Sequence, residues 1–293
     1  MAVYTRLTPG RVIFNIVNYT ILTFLAAITL YPFLYVLAAS LSDQSYLMQG
    51  KFGIIPVGFN LEAYKRVFEY PLLGRAYLNT VFYTIAGVAI NMLLTACGAY
   101  PLSRNRFPGK SFFNFLITIT MLFNGGLIPT FLVVKGLGMY NTVWALIIPF
   151  AINSWYLIIL KTFFQQIPAS IEESALIDGT NEIQCLFKII LPLSVPALLT
   201  ITLFYAVLSW NAFFTAMIYL KEKSMMPLQL LVRQIVLLDE TDAVISDVGK
   251  GKDLASESVK HATIIVAALP IIMVYPFIQK YFVKGVMVGA IKG

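Results

Sequence analysis

Six stretches of this chain contain no aspartate, glutamate, lysine or arginine, and each is long enough to cross a lipid bilayer as a helix. About 20 residues suffice, because an α-helix rises about 1.5 Å per residue and the hydrocarbon core is roughly 30 Å thick. The charge-free stretches cover residues 12–40, 76–100, 111–134, 136–160, 189–220 and 262–279. We therefore predict an all-α membrane protein with six transmembrane helices, built as a single transmembrane domain over residues 1–293.

The composition agrees with this architecture and excludes most enzyme classes. Hydrophobic residues make up 59% of the chain and charged residues 12%, whereas soluble domains carry about 25% charged residues. The two cysteines, Cys97 and Cys185, are far apart and form no CxxC pair, so neither a disulfide framework nor a zinc site is expected. Because His261 is the only histidine, we predict no catalytic residue and no metal site.

The basic residues of the short connections predict the orientation of the helices. The N-terminal tail, the connection after the second helix and the C-terminal tail carry eight basic residues and no acidic one: Arg6, Arg11, Arg104, Arg106, Lys110, Lys280, Lys284 and Lys292. Because basic short loops face the cytoplasm, both termini are predicted to be cytoplasmic, in a multi-pass protein of the cytoplasmic (inner) membrane. The net charge of +7 then reflects topology, with membrane lipid as a partner and no nucleic acid.

The absence of charge inside the predicted helices also limits the mechanism. Carriers driven by protons or ions need ionisable groups at membrane depth, and the six stretches have none. We therefore expect that the chain does not couple transport to an ion gradient by itself, and that another subunit supplies the energy.

The connection 161–192 is too polar for the membrane and has the pattern of a helix–turn–helix. Ser170 followed by Glu173 fits a capping box, and Gly179 can adopt the left-handed conformation that ends a helix. A second helix is predicted over about residues 181–191, with Pro192 at the return to the membrane. Two basic and four acidic residues favour a docking surface for a basic partner. The alternative is a plain connector in which Glu173 is only a cap.

The same connection resembles the EAA loop of ABC importer permeases. The resemblance is carried by Glu173-Ser174-Ala175, Asp178-Gly179 and Ile190-Leu191-Pro192, with Ser174 in place of the usual first alanine. It implies that the loop supplies a coupling helix, which sits in a cleft of a cytoplasmic ATPase subunit. The docking residues that it implies are Glu172, Glu173, Ser174, Ala175, Asp178 and Gly179.

Further motifs are similar to the carbohydrate-uptake, maltose-permease-like branch of this family. They are Asn79-Thr80, the 99–104 segment, Trp210-Asn211, Pro227-Leu228 and the ending 279–293. Residues 123–129 are similar to the subgroup that handles oligosaccharides and polysaccharide fragments, within which an alginate-oligosaccharide importer permease is a candidate.

The resemblance implies a type I ABC importer fold and a permease subunit that moves a sugar, in particular an oligosaccharide, with energy from ATP. The partners would be a second permease subunit, two cytoplasmic ATPase subunits and an extracytoplasmic solute-binding protein. ATP and Mg would bind to the partner ATPase, and no cofactor to this chain. Gly109-Lys110-Ser111 imitates the end of a P-loop, but Arg104 occupies the position of the glycine that this motif needs.

Two clusters inside the charge-free stretches combine aromatic rings with amide or hydroxyl groups, as a path for sugars requires. We predict a substrate path from Asn153, Trp155 and Tyr156 in the fourth stretch and Trp210, Asn211 and Phe214 in the fifth. For Trp210, and for Trp144, the alternative is the belt of aromatic residues at a membrane interface.

Two long connections, 41–75 and 221–261, are expected on the outer side, where they would meet the solute-binding protein or pack against the partner permease. Within the second, residues 225–238 are apolar enough for an interfacial helix. Two other function classes remain as alternatives. The first is a membrane-embedded enzyme, which would need clustered acids or histidines at the membrane edge. The second is an ABC permease for amino acids or phosphate, from which the 284–293 pattern distinguishes this chain, because that pattern is similar to the one in sugar permeases.

Overall fold

All regular secondary structure is helical in the residues that the computed structural model describes, 8–51, 53–237 and 256–290. These residues form two compact units, the first drawn from Met1–Tyr70 and Gln234–Ala267 and the second from Pro71–Arg233 and Ala268–Gly293. The single domain over residues 1–293 stays a prediction. Arg6, Lys292 and residues 238–255 of the second outer connection lie outside the described residues.

The first unit contains one long helix and two short ones, α1 (Pro9–Ser40), α2 (Gln44–Met48) and α3 (Glu62–Glu69). Most large apolar side chains of α1 are exposed, as expected of a helix that lies in lipid. Side-chain hydrogen bonds hold the chain that follows α1. The hydroxyls of Ser40 and Tyr64 lie 2.7 Å apart, and the Val57 N–H donates to Ser42 Oγ at 3.1 Å.

The second unit is built around the 33-residue helix α4 (Pro71–Ser103). Shorter helices follow in the order α5 (Lys110–Leu122), α6 (Leu127–Gly136), α7 (Trp144–Ile147), α8 (Ser154–Gln165), α9 (Ala169–Ile177), α10 (Glu182–Cys185), α11 (Leu191–Leu193), α12 (Val195–Trp210) and α13 (Phe214–Tyr219). Single turns of other helical types cover Ile148–Phe150, Leu186–Ile190 and Lys223–Met225. Two more helices, α14 (Leu228–Val236) and α15 (Glu257–Ala290), contribute residues to both units.

Candidate membrane spans are of two kinds. Within the described residues, α1, α4 and the Glu257–Val274 part of α15 are each long and apolar enough to cross a membrane unbroken. Three further spans are bent at a short break, by 115° between α5 and α6, by 52° before α8 and by 86° before α12. Counting each bent pair as one span, the described chain has up to six, in agreement with the predicted number.

The third span breaks at the two glycines between α5 and α6. Gly126 has a φ of +86°, which glycine adopts more readily than other residues, and its N–H donates to Asn124 Oδ1 at 2.9 Å. A Cβ on Gly125 or Gly126 would meet no atom within 4 Å. Within the described part of the chain, these glycines therefore serve the break and make no close contact with another helix.

The predicted fifth span, 189–220, overlaps the bent pair formed by Glu182–Leu193 and α12 (Val195–Trp210), which meet at 86°. Ile189 lies before the bend, and α12 ends at Trp210, before α13 begins at Phe214. Trp210 lies about 22 Å along the axis of α12 from Val195.

The core of the second unit forms where α4, α8 and α12 pack together. On α4, Ala96 and Ala99 are buried in this core, and a Cβ on Gly98 would lie only 3.2 Å from the Leu157 side chain of α8. Small residues matter here because lipid offers helices no hydrophobic gain from associating, so that close packing has to hold them together. This core fixes the ends of α4, α8 and α12, where the sites described next are built.

Candidate functional site

The loop 161–192 forms two short helices joined by a turn that its own hydrogen bonds hold. Gly179, which follows α9, has a φ of +85° as predicted. The Gly179 N–H donates to Leu176 O at 3.1 Å and the Thr180 N–H to Ala175 O at 3.1 Å, which is the pattern of a Schellman motif. A glycine is favoured at this position because the left-handed conformation costs most other residues about 1–2 kcal/mol.

The capping box of this loop lies on its second helix. Asn181 Oδ1 accepts from the Gln184 N–H at 2.8 Å, and Gln184 Oε1 accepts from the Asn181 N–H at 3.2 Å. The predicted box of Ser170 and Glu173 is wrong, because α9 begins at Ala169 with Pro168 at its N-cap and no side chain caps it. Ser170 lies inside the helix, two positions after the N-cap residue.

The second helix has the predicted extent but not a regular form. It is α-helical over α10, π-helical over Leu186–Ile190 and α-helical again over α11, which contains Pro192. The 86° bend follows at Ser194, two residues after the proline at which the return to the membrane was predicted.

The six predicted docking residues divide between two faces of α9 and its turn. Glu173, Ser174, Asp178 and Gly179 are exposed, whereas Glu172, with 4% of its surface exposed, and Ala175 are buried. Ile177, which the sequence analysis did not select, is 86% exposed beside Glu173 on the helix. The sequence could have indicated Ile177 as a docking residue, because it lies four residues after Glu173 and residues four apart share one helix face.

Glu172 belongs to a polar cluster of five side chains, Tyr100, Arg104, Arg106, Glu172 and Glu182, which we call the loop cluster. Glu172, Tyr100 and Arg104 form its inner part, and Arg106 and Glu182 are exposed. Arg104 Nε lies 2.6 Å from Glu172 Oε2, and Arg106 forms ion pairs with Glu172 and, at 2.8 Å, with Glu182. The Tyr100 hydroxyl lies 3.0 Å from both carboxylates. The cluster therefore attaches α9 and α10 to the C-terminal end of α4.

The two arginines of the loop cluster differ in their surroundings. Burial lowers the pKa of Arg106, but the carboxylates of Glu182 and Glu172 outweigh it, so that this pKa is raised above its ordinary value. The Arg104 guanidinium stacks 5.2 Å from the centre of the Tyr100 ring and donates to Phe164 O at 3.4 Å. Its Nε is close to Glu172 but not aligned for a hydrogen bond, so the contact is an ion pair by proximity.

A polar cavity of about 270 Å³ lies within the second unit, between the spans. Its lining includes aromatic, amide and hydroxyl side chains from three helical segments, namely Tyr83 and Asn91 of α4, Asn153 before α8, and Tyr205 and Ser209 of α12. None of its lining residues is charged. Such a surface can form hydrogen bonds with hydroxyl groups and stack on apolar ring faces, as a sugar needs.

The helices hold these polar groups in place. The Tyr205 hydroxyl accepts from the Asn153 N–H at 3.0 Å and lies 2.8 Å from Thr95 Oγ1. Asn153 Oδ1 caps α8 by accepting from the N–H groups of Trp155 and Tyr156, at 3.0 and 3.2 Å. Asn153 thus combines a place in the cavity wall with a structural role.

The remaining residues of the predicted path do not line this cavity. Trp155 is 54% exposed, and Tyr156 and Trp210 line a separate apolar cavity of about 550 Å³. Trp210 is 8% exposed and packs edge to face on Tyr77, at 5.8 Å between ring centres, which does not fit a tryptophan of the lipid interface. Asn211 and Phe214 are exposed after the end of α12.

Sequence reasoning missed most of the cavity wall. Tyr83, Gly87 and Asn91 recur every four residues on α4, and Tyr205 and Ser209 are four apart on α12. Polar residues at helical spacing inside the charge-free stretches could therefore have predicted this wall, since an asparagine that faces lipid is costly. Among the described residues, no three histidine, cysteine, aspartate or glutamate side chains are grouped as a metal site.

Comparisons with known proteins identify the family of the chain. Residues 87–288 match the family model of the binding-protein-dependent transport system inner membrane component. The chain is 46% identical to the polygalacturonan/rhamnogalacturonan transport system permease protein YtcP of Bacillus subtilis (strain 168), over 96% of this chain and 99% of that protein. It is 44% identical to Protein LplC of the same organism, over 97% and 96%.

A solved structure shares the fold. It is the crystal structure of a bacterial ABC transporter involved in the import of the acidic polysaccharide alginate, with a TM-score of 0.86 and 37% identity, covering 96% of this chain and 100% of that chain. The chain therefore belongs to the family of inner membrane components of binding-protein-dependent transport systems. It is a multi-pass permease subunit of an ABC importer, which works with an ATPase and a solute-binding protein.

Proposed function

We propose that this permease imports an oligosaccharide, together with a second permease subunit and two ATPase subunits that bind ATP and Mg²⁺. Both termini and the loop 161–192 are cytoplasmic in this proposal. The observation that carries it is the uncharged cavity between the spans, whose wall carries tyrosine, asparagine and serine side chains among apolar residues. The names of the similar proteins, which refer to polygalacturonan, rhamnogalacturonan and alginate, support the same class of substrate.

The exposed face of α9 is the proposed docking surface for the ATPase. Glu173 offers a carboxylate to a basic cleft. Ile177, one turn further along α9, offers apolar area that is exposed when the chain is considered without its partners. Fully burying an isoleucine contributes about 1.5–3 kcal/mol, so docking gains from both charge and burial. Glu172 and Ala175 contribute from behind, by fixing the helix that carries this face.

This cavity has no charged group that could recognise the charge of the substrate. Its wall has hydroxyl and amide groups but no lysine or arginine, so this subunit contacts the hydroxyls and ring faces of a sugar and not its carboxylates. Neutral and acidic oligosaccharides of similar size are therefore expected to depend equally on this wall.

Uptake by the reconstituted importer tests the proposal. The complex, with the solute-binding protein encoded beside it, is placed in proteoliposomes with ATP and offered labelled oligogalacturonides, alginate oligosaccharides, maltodextrins, amino acids and phosphate. ATP-dependent uptake of at least one oligosaccharide class is expected. Uptake of an amino acid or phosphate, and of none of the oligosaccharides, would reject the proposed substrate class.

A further inference from the structure

Four polar side chains on one face of α4 hold an irregular segment that precedes α14. The N-terminal part of α4 carries Arg75, Asn79, Thr80 and Tyr83, spaced so that they share one side of the helix. The segment is formed by residues 224–228, and both belong to the second unit. Asn79-Thr80 and Pro227-Leu228 are two of the motifs singled out in the sequence, and the fold brings them together.

The side chains bind backbone atoms of the segment. Asn79 Nδ2 donates to Ser224 O at 2.9 Å and to Met226 O at 3.1 Å. The Tyr83 hydroxyl donates to Met225 O at 2.8 Å, and Arg75 Nε to Ser224 O at 2.9 Å. Three successive carbonyls that have no partner in a helix are therefore satisfied by α4.

Thr80 caps α14 from another helix. The Leu228 N–H, the first of α14, donates to Thr80 Oγ1 at 2.7 Å, and the Thr80 hydroxyl donates to Ala76 O at 2.9 Å. Pro227, which precedes the helix, has no side-chain acceptor to serve as a cap, so α4 provides one. Thr80 is only 1% exposed, which makes the loss of this hydroxyl costly.

The 224–228 segment lies on the side of the membrane opposite to the ATPase-docking loop. The loop cluster holds the loop at Tyr100, whereas the segment is held at residues 75–83 of the same unbroken helix. About 20 residues separate Asn79 from Tyr100, which corresponds to about 30 Å, the thickness of the hydrocarbon core. The partner on that side is the solute-binding protein.

We propose that Asn79, Thr80 and Tyr83 are positioning residues for the solute-binding protein. They fix the 224–228 segment and the start of α14, and thereby the surface that this protein meets when it delivers substrate. Leu230 of α14 packs with Ala216 and Leu220, which anchors the helix further into the same unit. This inference rests on the proposed function, since it takes the loop 161–192 as the ATPase-docking side.

A matched pair of substitutions at Thr80 tests the role. Thr80→Val keeps the shape but removes the hydroxyl, and Thr80→Ser keeps the hydroxyl. In the whole reconstituted complex, ATPase activity is measured against the concentration of sugar-loaded solute-binding protein. Thr80→Val is expected to raise the half-saturating concentration about fivefold or more, with basal and maximal ATPase rates close to wild type, and Thr80→Ser is expected to restore it.

Further variants separate positioning from a general defect. Asn79→Leu is expected to raise the same half-saturating concentration, and Leu78→Ala, at an exposed position on another face of α4, to leave it unchanged. The inference is overturned if Thr80→Val has a wild-type half-saturation, or if basal and maximal rates fall together while half-saturation stays constant. A wild-type complex that no sugar-loaded binding protein stimulates would instead contradict the proposed function.

Discussion

The loop cluster and the polar cavity both use side chains of α4, but they solve the problem of buried polarity in opposite ways. At the end of the helix, Glu172 is buried against two arginines, and each charge has a partner. About 14 Å along the helix, at Asn91, the cavity wall has no charge at all. The difference teaches that paired charges serve where a loop is attached to a helix, and that uncharged groups form the wall of the cavity, where we propose that the substrate passes.

Substitutions of the adjacent residues Glu172 and Glu173 are expected to give the largest difference in stability. Glu172→Gln is expected to destabilise the loop by about 3 kcal/mol or more, because both arginines lose a buried carboxylate. Glu173→Gln is expected to change the stability of the chain by no more than about 0.5 kcal/mol, because Glu173 is exposed. Thermal unfolding of the detergent-solubilised subunit, with hydrogen exchange of residues 169–190, measures both, and equal unfolding temperatures would contradict the assignment.

The exposed face of α9 is expected to show the next effect, in binding and not in folding. Glu173→Gln and Ile177→Ser should each weaken association with the ATPase, and loss of an interfacial charge partner typically costs about 2–5 kcal/mol. Titration of the purified ATPase subunit onto the permease measures this, with the exposed Glu222→Gln as a control. Undiminished ATPase binding and uptake in Glu173→Gln would leave that carboxylate without a docking role.

Substitutions in the turn between α9 and α10 should act only through the backbone conformation that they permit at position 179. A Cβ on Gly179 would meet no atom within 4 Å, so only its φ of +85° opposes substitution. Gly179→Val is expected to cost about 1–2 kcal/mol and reduce coupled ATP hydrolysis, whereas Gly179→Asn should be tolerated because asparagine visits this conformation. Similar activity of the two variants would show that the turn does not aim the helix.

The cavity should be sensitive to volume with little effect on folding. A Cβ on Gly87 would lie 3.7 Å from Ser209 Oγ, so Gly87→Ala fits without strain but narrows the cavity. In a helix this change stabilises by at most about 1 kcal/mol, and uptake of oligosaccharide is expected to fall. Gly74→Ala on the same helix, which would meet no atom within 4 Å, is the control, and equal uptake by both variants would remove the cavity from the path.

Sequence reasoning succeeded where the determinant is local. The charge-free stretches located the spans, and Gly179 located the turn, because length, hydropathy and a left-handed φ are properties of a few consecutive residues. It did not predict the 86° bend in the fifth span, because the sequence is apolar on both sides of Ser194 and the direction of a helix depends on its packing. The capping box was misassigned because the choice between Pro168 and Ser170 as the N-cap depends on where the chain leaves α8.

By itself, the sequence determined an all-helical membrane permease with a patterned loop, since those features follow from hydropathy and from local backbone preferences. Only the tertiary structure decided which of two neighbouring glutamates is buried, because successive residues on a helix point about 100° apart and the neighbouring chain selects between them. It also decided which polar groups meet in the cavity, where Asn91, Asn153 and Tyr205 come from different helical segments. Residues that are distant in sequence come together through helix packing, which local sequence patterns do not predict.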